Sequence, residues 1–491
     1  MFIRPGLRHC YQRGAIALML LMILGLGVAG AILAGFSYHA LDLYREQQTQ
    51  NVLAEAKKIL LSEALSKRGN TVPVTRPGEF FCPDLNIPGE AAYGQSGLNG
   101  AACPGAAARV GRIPWRNYQA AELHDSSGEP LWMAVVDGFQ ERRNVPLNSD
   151  TAPAGANPWF YAAANNGAQA LSDAADPVIV VIMAPGAALG GQNRSTAAQQ
   201  RNPNNYLECN QLTMGGACLG APNNYANYNA TQGRFLNGPR LDANGSPVLN
   251  DRLITIRRSE LLLPLEKRAA KDYQQLLNLW ALQVVTGLGY LPNPASYADL
   301  GCADTAVVNS NGCTPSPAAC RGHIPKSISL TGVGLLPVLP EYLVNPANRP
   351  ATMASQAEWQ NVLLEYDWLY RNRWEQMFFY AVANTANCPA PISLTLRNMQ
   401  LPAGSVNAVM IGAGVAQTGQ TRSVAADKIV LNNYLDPVTS YVVAPDINRR
   451  AWDAVPPQID QYAKLGPADA GNDSFYYRIT NQWIYAAKDR P

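Results

Sequence analysis

The sequence predicts an α+β fold: a long N-terminal helix, transmembrane and then amphipathic, leads into two homologous modules with antiparallel sheets, stapled by disulfides. Three observations carry this. An uncharged apolar run passes into a helical pattern with no Pro or Gly between Ser37 and Arg68. A pattern of about thirty residues occurs twice without a gap, and such internal periods mark structural units. All but one of nine cysteines follow the apolar run.

The helix comes first. Ala15 to Phe36 carries no charge, and about twenty apolar residues suffice to span a bilayer. Arg4, Arg8 and Arg13 precede it, which fixes that end on the cytoplasmic side. Beyond the run, Leu53, Ala56, Leu60 and Ala64 share one helical face. Lys67 and Arg68 suit the last turn, and Gly69 suits the C′ position. Residues 15–67 then form one rod, with 15–36 in the membrane and the rest packed on a globular head.

The remainder reads as a duplication. "VIVVIMAPGAALGGQNRSTAAQQRNPNNYLE" from Val178 aligns with "VNAVMIGAGVAQTGQTRSVAADKIVLNNYLD" from Val406. Gln192, Arg194, Ser195, Asn204, Asn205 and Tyr206 fall on Gln420, Arg422, Ser423, Asn432, Asn433 and Tyr434. Other landmarks keep the same order: "FCPD" and "GCAD", "GRIP" and "GHIP", "LWMAVVDGF" and "FFYAVAN", "NDRLITI" and "NDSFYYRI". These bound a first head module at 50–263 and a second at 264–491. The β-branched run "DPVIVVIMAPG" is a buried strand, and "GGQNRSTAAQQRNPNNY" is a polar surface loop. Helix, cysteine-bearing loop and strands in that order give an α+β module.

The cysteines bear on compartment. Without Cys10, eight remain, an even set that fits an oxidising environment. No C-x₂-C pair supports a zinc site, so no metal is expected. Cys209 with Cys218 closes a short loop through "TMGG", and Cys82 with Cys103 closes the first module's loop. The duplication pairs Cys302 with Cys320 and leaves Cys313 with Cys388; Cys302–Cys313 with Cys320–Cys388 is the alternative.

"QRGAIALMLLMIL" resembles the type III signal of type IV pilins and of the pseudopilins of type II secretion. The resemblance implies cutting by a prepilin peptidase between Gly14 and Ala15, which removes a leader at 1–14, and methylation of the new N-terminus. It implies a bacterial inner-membrane subunit with a cytoplasmic N-terminus and a periplasmic head. That subunit later joins an extracellular or periplasmic filament by packing its helix on other pilin or pseudopilin subunits. Met19 stands where most such subunits carry a Glu, a departure shared by tip pseudopilins. The expectation is therefore a non-enzymatic minor subunit near a filament tip. The rival is a membrane-anchored adhesin or binding module for a surface, glycan or partner protein.

Chemistry is sparse. The formal net charge is +2 and no Lys/Arg run tracks a phosphate backbone, so no nucleic-acid partner is expected. Four histidines are scattered, and no hydrolase, zinc-protease or nucleotide-binding motif occurs, so no catalytic residue and no cofactor are assigned. Two readings stand for the repeated loop. Arg194 and Arg422, with Asn204, Asn205, Tyr206, Asn432, Asn433 and Tyr434, could clamp a carboxylate or glycan. Alternatively, Arg and Asn tie a long loop to the sheet. "CPDLNIPGE" offers Asp84, Asn86 and Glu90 as a faint calcium loop.

Overall fold

A computed structural model of the chain describes residues 10–67, 76–96, 103, 110–141, 146–152, 159–163, 171, 176–209, 225–229, 233–242, 244–282, 291, 294, 320–324, 327–330, 334–337, 366–383, 394–402, 404–422, 426–427, 430–452 and 461–487. Helix α1 (Cys10–Ser66) precedes β1 (Val110–Arg112), β2 (Trp132–Val135), β3 (Tyr161–Ala163) and β4 (Val178–Ala184). Then come α2 (Ala197–Arg201), β5 (Arg234–Leu236), β6 (Arg240–Leu241), β7 (Pro247–Leu249), β8 (Arg252–Arg257) and α3 (Arg258–Leu282). The second half holds β9 (Arg321–His323), β10 (Ser327–Leu330), β11 (Gly334–Pro337), β12 (Phe378–Val382) and β13 (Thr395–Leu396). It ends with β14 (Val406–Gly412), β15 (Gln461–Tyr462), β16 (Ser474–Ile479) and β17 (Gln482–Ala486).

Two antiparallel sheets dominate. One has the order β1-β2-β4-β8, the other β9-β12-β14-β16-β17. Without β17 the two orders coincide, and their strands fall on the repeated sequence landmarks. The central strands share an irregularity too: the register shifts between Val178 and Val180 in β4, and between Val406 and Ala408 in β14. Bulges of this kind are retained features of a strand.

The helical pattern explains how α1 docks. Leu53, Ala56, Leu60 and Ala64 are all fully buried, against β4 and β8. Spacing of three and four residues puts them on one stripe. Lys67 closes the helix by donating to the Glu79 carbonyl at 2.7 Å. In α3, Ala270, Tyr273 and Leu277 are buried, with Tyr273 edge-on to Phe378 of β12 at 5.4 Å.

The membrane part of the expected fold is corrected. Among the described residues no helix is long and apolar enough to cross a membrane. A transmembrane segment at 15–36, and with it the single-pass inner-membrane placement, is therefore withdrawn. Among the described residues the helix runs over Cys10–Ser66, so Gly14 and Ala15 lie inside it. The α+β class with antiparallel sheets stands as a description of the fold.

The free edge of β8 is covered by side chains. Asn237 Oδ1 accepts from Leu253 N at 2.9 Å, Lys57 Nζ donates to the Thr255 carbonyl at 2.8 Å, and Glu260 Oε2 accepts from Arg257 N at 2.8 Å. Lys57 and Glu260 also pair with each other at 2.6 Å. In the second sheet β17 lies along the corresponding edge of β16.

Candidate functional site

The repeated loop has the same internal wiring in both copies. A glycine in the left-handed region, Gly191 or Gly419, each at φ +93°, turns the chain just before Gln192 or Gln420. In the first copy Arg194 donates from Nε to the Asn205 carbonyl at 2.6 Å, from Nη1 to the Gly186 carbonyl at 3.3 Å and from Nη2 to Gln192 Oε1 at 3.1 Å. Its guanidinium lies 4.4 Å from the Tyr206 ring centroid and pairs with Glu129 at 2.6 Å. Asn205 Oδ1 accepts from Asn193 N, and its amide donates to the Gln199 carbonyl. Thr196 caps α2 in a reciprocal capping box with Gln199.

The second copy repeats the arginine and asparagine contacts. Arg422 donates from Nε to the Asn433 carbonyl, from Nη1 to the Gly414 carbonyl at 2.7 Å and from Nη2 to Gln420 Oε1 at 3.0 Å. It too lies 4.4 Å from its tyrosine ring, Tyr434. Its acid partner is Asp150 of the first module, at 3.0 Å. Both guanidinium forks are thus engaged by their own chain, and a ligand carboxylate finds no fork to enter. Asn204 and Asn432 are exposed, away from this wiring.

Behind each loop sits a carboxyl pair. Gln192 Nε2 donates to Glu208 Oε1 at 2.7 Å, and Glu208 Oε2 accepts from the backbone N of Asn250 and Asp251. Asp251 Oδ2 returns the favour, accepting from Glu208 N at 2.9 Å. In the second module Gln420 reaches Asp436, whose Oδ2 accepts from Asn472 N at 2.7 Å, while Asp473 Oδ2 accepts from Asp436 N at 2.7 Å. Burial, and then the neighbouring carboxylate, push Asp251 and Asp473 well above the usual range. Burial also raises Glu208. The sequence carries a signal for these pairs: an acid after each N-N-Y-L and an Asn-Asp before β8 and β16.

A third carboxyl joins the modules. Glu266 of α3 is buried, accepts from Ser149 Oγ at 3.3 Å and from Ser474 Oγ, and burial pushes its pKa up to about 7. It fits because Gly412 has no side chain: a Cβ there would meet Glu266 Oε1 at 2.6 Å.

The remaining candidates are placed as follows. Cys82 and Cys103 form a disulfide, with Cα atoms 5.7 Å apart. Cys209 and Cys320 are disulfide-bonded as well. Cys218, Cys302, Cys313 and Cys388 lie outside the described residues, so these pairings are not described. Asp84 spends its carboxylate on Asn86 and on Gly94 N, and Glu90 on Ile87 N and Arg201. Among the described residues no three His, Cys, Asp or Glu side chains converge as a metal would need. His323 is buried, with Nδ1 3.2 Å from the Phe378 carbonyl, and burial lowers its pKa to about 4.

In each module, then, an arginine, an asparagine and a carboxyl pair tie a surface loop to the central sheet. No protein-family model, no curated protein and no solved structure matches this chain.

Proposed function

We propose that the chain is a non-enzymatic subunit of a type IV pilus-like or type II secretion-like filament, a minor component near its tip. It joins the assembly by packing α1 against the helices of other pilin or pseudopilin subunits. One observation carries this reading. Leu18, Leu20, Leu21, Ile23, Leu24 and Leu26, successive positions around α1, are all exposed. A helix that is apolar all round is stable only when covered, and helices of like subunits are partners of matching chemistry. The wiring of both repeated loops supports a scaffold role for the head.

Met19, 69 % exposed, offers no carboxylate to neutralise the N-terminal amine of a neighbouring subunit. That favours a terminal place over repetition along a shaft. Processing by a prepilin peptidase after Gly14 belongs to the same proposal. Mass spectrometry of the protein from cells with an active prepilin peptidase tests it. A chain beginning at Ala15, and no cutting in Gly14→Val, is the expected result. An N-terminus at Met1 would overturn the reading.

A further inference from the structure

A cleft of about 390 Å³ opens between the modules, walled by Asp176 and the start of α3 on one side and by residues 415–418 with Asn472 on the other. Cavities of this size at module interfaces are where small ligands bind. Arg258 is the notable group on the first wall. Its Nη2 donates to the Ser149 carbonyl at 2.5 Å, and its guanidinium lies 5.5 Å from the Trp159 ring centroid. Its Nη1 has no partner among the described residues. The nearby acids are committed elsewhere: Asp150 to Arg422, and Asp176 to the backbone N and hydroxyl of Ser259. Burial draws the Arg258 pKa down to about 10.

The facing wall is polar and open. Thr418 is exposed and its hydroxyl has no partner among the described residues, nor has the side-chain oxygen of Gln417. Leu263, 39 % exposed, adds an apolar patch. A simple anion entering here meets Asp176, and a simple cation meets Arg258. Hydroxyl groups donate and accept at once, so a polyol satisfies both walls.

We propose that this cleft binds a neutral sugar unit. Ring hydroxyls lie between Arg258 Nη1 and Asp176 on one wall and Gln417 and Thr418 on the other, with a C–H face of the ring against Leu263.

Saturation-transfer NMR on the full chain tests this, with methyl α-glucoside, methyl β-galactoside and N-acetylglucosamine as probes. At least one neutral sugar is expected to bind, more tightly than its charged relatives galacturonate and glucosamine. Arg258→Gln, and Thr418→Trp, which fills the cleft from an exposed position, should each weaken binding by about tenfold or more. Thr418→Trp leaves the buried contacts intact, so its melting temperature should match the unmodified protein. Three outcomes overturn the proposal: no binding of any neutral probe at millimolar concentration, tighter binding of galacturonate or glucosamine, or undiminished binding in a folded Thr418→Trp variant.

Discussion

Arg422 Nη1 lies 3.0 Å from Asp150 Oδ1, so the first module neutralises a guanidinium of the second. The equivalent Arg194 meets Glu129 within its own module, at 2.6 Å. Asp150 belongs to a short tongue that also binds Asn372 through Leu147 N at 3.3 Å and Asn148 Nδ2 at 2.8 Å. The duplicated loop is therefore autonomous in one copy and dependent in the other.

Truncating the two arginines should separate these roles. Arg422→Ala leaves Asp150, a carboxylate only 16 % exposed, without its cation; breaking a buried pair costs about 3–5 kcal/mol. Arg194→Ala leaves Glu129, which is 27 % exposed and better hydrated, so the loss should be smaller. Urea unfolding of both variants measures the difference. Equal losses would count against coupling between the modules.

Glu266 predicts a pH slope. Its folded pKa, about 7, lies above the ordinary 4.5, so the folded state holds a proton that the unfolded state releases. The stability it contributes is full below about 4.5 and is lost as pH rises through about 7. Asp251 and Asp473 act in the same sense, while His323, lowered to about 4, acts oppositely as pH falls from 6.5. Urea midpoints from pH 4.5 to 8 should fall less steeply in Glu266→Gln than in the unmodified chain. Parallel profiles would remove Glu266 from the account.

The Cys82–Cys103 bridge closes a loop with a sequence separation of 21. Restricting the unfolded chain over that length contributes about 2–4 kcal/mol. Cys82→Ala with Cys103→Ala should lower the melting temperature by a matching amount. Non-reducing peptide mapping should recover the linked peptides from unmodified protein; free thiols at both positions would refute the bridge.

Removing the cover from β8 should make the protein self-associate. Lys57→Ala with Glu260→Ala exposes the Thr255 carbonyl and the Arg257 N–H, and bare strand edges recruit other strands. Light scattering of this double variant should rise with concentration faster than that of the parent. Identical scattering would show that these side chains do not protect the edge.

Local signals were the legible ones. The stripe Leu53, Ala56, Leu60 and Ala64 follows from helical spacing alone, and β4 follows from a β-branched run that ends in Pro and Gly. The duplication matches β1, β2 and β8 to β9, β12 and β16 because each copy keeps its own punctuation. Non-local chemistry was not legible. Glu266 looks like an ordinary helical glutamate until Ser149 and Ser474, each more than a hundred residues away in sequence, close on it. Asp150 lies outside every repeated pattern, so nothing in the sequence links it to Arg422. The uncharged stretch 15–36 reads as a membrane span in the sequence, whereas among the described residues no helix is long and apolar enough to cross a membrane.

The cover on the β8 edge also bears on how the protein is made. Lys57, Asn237 and Glu260 all precede the second module in the chain, so a ribosome delivers every part of the cover before β9 emerges. The first sheet can close its edge while the second is still being synthesised. The second sheet waits for β17, which follows β16 in the chain, and β16 stays bare until it arrives. The vulnerable interval of biogenesis thus falls between the emergence of β16 and that of β17, and a chaperone that attends this protein has most to do there.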